Sequence, residues 1–156
     1  MDKNVAIIKF LMECPVIQEN PLFFNFAAAE DGNNQLISQR DSVKRQFIDG
    51  SVLKQYTFSI ANFSSVTHNA IQNDEDISDK NVENMAKVQE ILDWIDKQAE
   101  LNIYPDFGEN CVVDSMQTLT TDPDIDGVDT SVNPPIARYS VGVKLEYLDN
   151  SKKVWN

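Results

Sequence analysis

Ile136-Ala137-Arg138-Tyr139-Ser140-Val141-Gly142-Val143-Lys144-Leu145-Glu146-Tyr147-Leu148 decides the fold class. Tyr139, Val141, Val143, Leu145 and Tyr147 alternate with Arg138, Ser140, Lys144 and Glu146. That period of two is the mark of a strand with one buried face. Ser51 to Phe63 repeats it, with Tyr56, Phe58 and Ile60 set against Thr57, Ser59 and Ala61. A sheet built on these strands needs a cover, and the segment from Asn81 to Leu101 supplies one. Val82, Met85, Val88, Leu92, Ile95 and Ala99 form an apolar stripe at helical spacing, and Asp79 or Asn81 can cap its start.

Outward from this centre the elements are shorter. Residues 3–13 read as a helix carrying Ile7, Ile8, Leu11 and Met12 on one stripe, with Pro15 blocking its continuation. Leu22 to Ala29 has strand composition, and its aromatic residues Phe23, Phe24 and Phe26 are expected in the core. Asp31-Gly32-Asn33-Asn34 is a turn signal, after which Leu36 to Gln39 can return as a hairpin partner. Residues 40–51 are polar and read as an exposed extension. Residues 102–110, with Tyr104-Pro105-Asp106-Phe107-Gly108, form a turn region. Cys111 to Thr121 reads as a strand, and Asp122 to Pro135 as a polar loop. The order α-β-β-β-α-β-β predicts a single α+β domain over residues 1–156. It would be a mainly antiparallel sheet of about four to five strands packed on one long and one short helix.

Composition fits a folded domain: 42% of the 156 residues are hydrophobic and 24% charged. The apolar start, Val5 to Met12, is broken by Lys9, is too short to span a bilayer and lacks a signal-peptide cleavage site. Cys14 and Cys111 stand far apart, and without an export signal they read as buried free thiols of a protein folding in a reducing cytoplasm. The net charge of −12 is uneven. Asp74 to Asp129 holds sixteen acids and three bases, and the remainder nine acids and ten bases. Such a field does not grip phosphates, which requires Lys and Arg against the backbone.

Catalytic constellations are missing from the sequence. His68 is the only histidine and follows a strand, where a surface or edge role is the plainer reading. No Gly-x-Ser-x-Gly elbow exposes a serine, and five scattered glycines make no phosphate-cradling loop. Asp122-Pro123-Asp124-Ile125-Asp126-Gly127 matches the opening of a calcium loop, but the twelfth position is Asn133 instead of a bidentate glutamate. Asp122, Asp124 and Asp126 therefore read as an acidic loop, and no metal or other cofactor is expected. Interaction residues are expected at Asp124, Asp126 and Asp129, and at Trp155, a terminal tryptophan of the kind that anchors partners.

Landmarks along nearly the whole chain carry a resemblance. They are Asn4-Val5-Ala6-Ile7-Ile8-Lys9-Phe10-Leu11, Asp49-Gly50-Ser51-Val52-Leu53, Asn81-Val82-Glu83-Asn84-Met85 and Tyr104-Pro105-Asp106-Phe107-Gly108. Gly127-Val128-Asp129-Thr130-Ser131, Tyr139-Ser140-Val141, Tyr147-Leu148-Asp149 and Trp155 complete them. The chain resembles a family of small proteins from phages of Gram-positive hosts, labelled minor capsid protein or tail terminator. The resemblance implies a non-enzymatic virion protein of the tail or neck, assembled in the bacterial cytoplasm. It would form a homo-oligomeric ring, typically a hexamer, that caps the tail tube protein and meets the head-connector proteins. Genome DNA would pass an acidic ring without specific binding, and no membrane is involved. Another head–tail connector, or an acidic inhibitor covering a basic nucleic-acid-binding surface, is the alternative.

Overall fold

The computed structural model describes residues 2–68, 70, 72–73 and 79–154. Its elements are α1 (Lys3–Leu11), α2 (Pro15–Gln18), β1 (Leu22–Phe24), β2 (Asn34–Gln46), β3 (Val52–Ser65), α3 (Lys80–Glu100), β4 (Cys111–Thr118), β5 (Asp124–Asp129) and β6 (Ile136–Asp149). The class is α+β. Six strands make one sheet in the order β1-β2-β3-β6-β4, and β5 adds to the same side of β6 as β4. Every pairing is antiparallel except β1 with β2.

The two strands recognised by alternation are the centre of the sheet. β3 and β6 pair without a break from Val52↔Asp149 to Ser65↔Ile136. Their shared face buries Tyr56, Phe58, Ile60, Tyr139, Val141, Val143, Leu145 and Tyr147. From α3 come Val88, Ile91, Leu92 and Ile95, with Met85 partly buried. Burying one such side chain stabilises the fold by roughly 1.5–3 kcal/mol. Val82 is 43% exposed and does not belong to the stripe, while Ile91 does. Asp79 is the cap and accepts from the Val82 N–H at 3.0 Å. Asn81 instead exchanges two 2.9 Å hydrogen bonds with the backbone of Thr67. The Phe10 ring stacks at 5.0 Å on Trp94, joining α1 to α3. Phe107, from the turn after α3, is buried edge-on to Tyr147 at 5.1 Å and closes the other end of the core.

Polar residues inside this core are matched to one another. The Asn62 amide donates to Asn34 Oδ1 at 2.8 Å, and the Asn34 amide donates to the Ile17 carbonyl at 3.3 Å. Asn84 on α3 donates to the Ser65 carbonyl at 2.8 Å. Buried amides satisfied in this way fix register as well as position.

Several expectations need correction. The supposed extension 40–51 is half of the thirteen-residue β2 and its hairpin turn. The supposed loop 122–135 contains β5. Pro15 ends nothing by itself, because it stands at the first position of α2, where its missing N–H is harmless. Only Leu22–Phe24 pairs in the segment expected as a strand to Ala29, and it runs parallel to β2 because residues 25–33 cross over before the chain returns. Its aromatics are not core: Phe23 and Phe24 are 40% exposed and Phe26 is 79% exposed. Cys14 is buried and free, whereas Cys111 is free but only half-buried, since β4 is an edge strand.

Candidate interaction site

Directly paired residues of a ladder share a face, so the register assigns each edge side chain to the helix-covered or the helix-free side. On β5, Asp124 pairs with Ser140 and Asp129 with Ile136, which places both on the helix-free face. All six residues of β5 are exposed. Asp126 sits at a bulge and accepts from Arg138 Nη1 at 2.7 Å. Asp129 accepts from the Ser131 hydroxyl at 2.6 Å and its N–H at 2.9 Å, and those bonds hold its carboxyl below the usual range. The calcium look-alike is therefore extended strand, and among the described residues no group of three His, Cys, Asp or Glu is placed to hold a metal. Trp155 lies outside the described residues. The segment leading to it docks on the β2–β3 turn, with the Val154 N–H on the Asp49 carbonyl at 2.7 Å.

The other face of β5 is apolar. Ile125 and Val128, both about half exposed, line a hollow of about 240 Å³ with Val66, His68, Met85 and Tyr139. α3 starts too late to cover this corner of the sheet. The one histidine thus stands beside an apolar hollow, with no cysteine, aspartate or glutamate among its lining residues.

The opposite edge has a different character, which the sequence reading missed. β1 covers β2 only from Asn34 to Leu36, and Asn25 Oδ1 accepts the Ser38 N–H at 2.9 Å. From Gln39 to Gln46 no strand pairs with the outer side of β2 among the described residues. This open stretch carries Arg40, Lys44 and Arg45 against one acid, Asp41. Arg40 pairs with Thr57 and Arg45 with Leu53, so both stand on the helix-free face, as Asp124 and Asp129 do. Lys44 is ion-paired with Glu146, and Arg45 lies 5.4 Å from the Phe47 ring centre. Three bases within six residues of an otherwise acidic chain were the available signal.

Between these edges one polar cluster ties α1 to the sheet. Tyr147 donates to both oxygens of Asp41, Lys3 Nζ lies 3.4 Å from Asp41, and Tyr56 bonds Asn4. Burial, then the Asp41 carboxylate, pushes the Tyr147 phenol far above its usual range, so it is held as a neutral donor. An open hollow of about 400 Å³ adjoins it, lined by Asp2, Lys3, Ser38 and Arg40 among others. The cluster satisfies its own charges and is read as a staple for α1.

Among the described residues no helix is long and apolar enough to cross a membrane. Compared with known proteins, the chain matches no protein-family model and no curated protein.

Proposed function

We propose that this protein is a tail terminator of a tailed phage, a subunit that caps the tail tube as a ring and offers the surface to which the filled head joins. The observation that carries the reading is the pair of unlike open edges on one sheet, Gln39–Gln46 of β2 and β4–β5. Closed rings form through heterologous contacts, in which one patch of a subunit meets a different patch of the next. The resemblance along the chain supports the same reading. So does the exposure of Phe23, Phe24, Phe26 and Ile48, large apolar groups that a subunit of an assembly can cover.

Electron microscopy of lysates tests the proposal directly. An amber mutant is expected to yield DNA-filled heads beside separate tubes of unregulated, excessive length, because removing a cap releases elongation. Normal tails on normal heads would sink the assignment, and empty heads would move the protein to an earlier connector step. The row of exposed acids on β5 also favours a second reading, an acidic inhibitor that covers a basic surface. That protein would act as a monomer and leave tail length untouched.

A further inference from the structure

We infer that neighbouring copies join edge to edge, the basic open stretch of β2 in one copy pairing with the acidic β4–β5 edge of the next, so that the sheet runs on from subunit to subunit. The inference rests on the ring reading and specifies its contact.

Strand direction permits it. Along β2-β3-β6-β4 each strand is antiparallel to the one before, and β5 runs in the direction of β4. β2 and β4–β5 therefore run in opposite senses. Copies related by rotation about an axis near the strand direction bring β2 against an antiparallel neighbour, the two-sided pairing that open edges favour.

Charge selects it. Arg40 and Arg45 on one edge and Asp124 and Asp129 on the other stand on the same, helix-free face. In a continued sheet they become cross-strand neighbours of opposite sign. Without stagger, Arg40 is level with Gln117 of β4, whose bulge carries exposed Asp114. A shift of a few residues, such as a closing sheet requires, brings Arg40 to Asp124. Like edges repel: β2 against β2 sets base on base, and β5 against β5 sets acid on acid. The same charges thus oppose a two-fold dimer and favour head-to-tail closure. Bulges and charges at an edge also serve to blunt it against aggregation, but that purpose does not require opposite signs on opposite edges.

Native mass spectrometry and light scattering across a concentration series test the contact, with circular dichroism to verify each variant's fold. The wild type is expected to form a closed oligomer that weakens in high salt. Arg40→Glu with Arg45→Glu makes both edges acidic, and Asp114→Lys with Asp124→Lys makes both edges basic. Each double variant alone should associate at least about tenfold more weakly. Mixed in equal amounts they should assemble again, into rings of even number with the two chains alternating. The chain carrying all four changes should assemble by itself. Double variants that assemble as the wild type does, a mixture no better than its parts, or a wild type that stays monomeric would each overturn edge pairing. Tail length in the amber lysates answers separately for the terminator reading. Overlong tubes with edge-independent rings would remove only the inference, and edge-paired rings with normal tails would remove only the function.

Discussion

The Tyr147 phenol donates to both carboxylate oxygens of Asp41, at 2.8 and 3.0 Å, across 106 residues of chain. The bond joins the helix-covered side of β6 to β2, two strands away, and it brings Lys3 of α1 into the same cluster. Because burial and Asp41 raise the folded pKa above the unfolded value of about 10, the contribution is complete below that pH and is lost as pH rises further. Tyr147→Phe should lower stability near neutrality by about 1.5–3 kcal/mol, the range for hydrogen bonds to charged groups. It should also flatten the loss of stability above about pH 10. Urea midpoints measured from pH 7 to 11 check both; an alkaline limb as steep as the wild type's would mean another group governs it.

Asp149 gives the acid counterpart. The Ser151 N–H and hydroxyl, then Lys54 at 3.0 Å, hold its carboxyl far below the usual range. A depressed carboxylate stabilises above the unfolded pKa of about 3.9, and the contribution fades as pH falls through the lower folded value. Lys54, raised chiefly by its bond to Asp149, contributes below about 10.4 and loses that contribution above it. Asp149→Asn should therefore reduce stability between these limits and make the acid limb shallower. Thermal melts from pH 2 to 8 read the difference.

Truncating α3 separates its stripe from its surface. Leu92→Ala should cost about 2–5 kcal/mol, because Leu92 is 2% exposed in the centre of the core. Val82→Ala should change stability by less than about 0.5 kcal/mol, as surface substitutions do. Equal effects in chemical denaturation would show the helix turned about its axis from the orientation described above.

Gly50 makes the β2–β3 turn and meets the C-terminal segment at once. Its φ of +90° suits glycine, and a Cβ there would lie 2.2 Å from the Lys152 carbonyl oxygen. Gly50→Ala should destabilise by about 1–3 kcal/mol and release residues 150–154 from the turn. Hydrogen exchange at the Val154 amide, which now donates to Asp49, reports the release.

The legible parts of this fold were those with one face in oil and one in water. β6, β3 and α3 announce themselves because burial on a single side writes a period into the residue order. The outer half of β2 has no such side, since residues 40–46 lie at an open edge over a solvated face, and polar residues suffice. β5 is hidden for the same reason, with Asp124, Asp126 and Asp129 in place of any apolar alternation on that face. The parallel run of β1 depends on how residues 25–33 travel, which periodicity does not encode. Asp124, Asp126 and Asp129 were singled out as a surface from charge alone. Their opposite number, Arg40 with Arg45, becomes visible only when register sets both on one face.

The central ladder also sets when this protein can fold. Each β3–β6 pair joins positions 71 to 97 residues apart, and both outer strands β4 and β5 lean on β6. On the ribosome, β2 and β3 can meet early as a hairpin, but α3 emerges with only half a sheet to cover. Its apolar stripe and the aromatic face of β3 stay wet until residues near 149 leave the exit tunnel. Contacts so distant along the chain close slowly, and chains waiting with exposed apolar surface are open to aggregation. Synthesis at high copy number should therefore make this protein a client of chaperones that shield unfinished sheets.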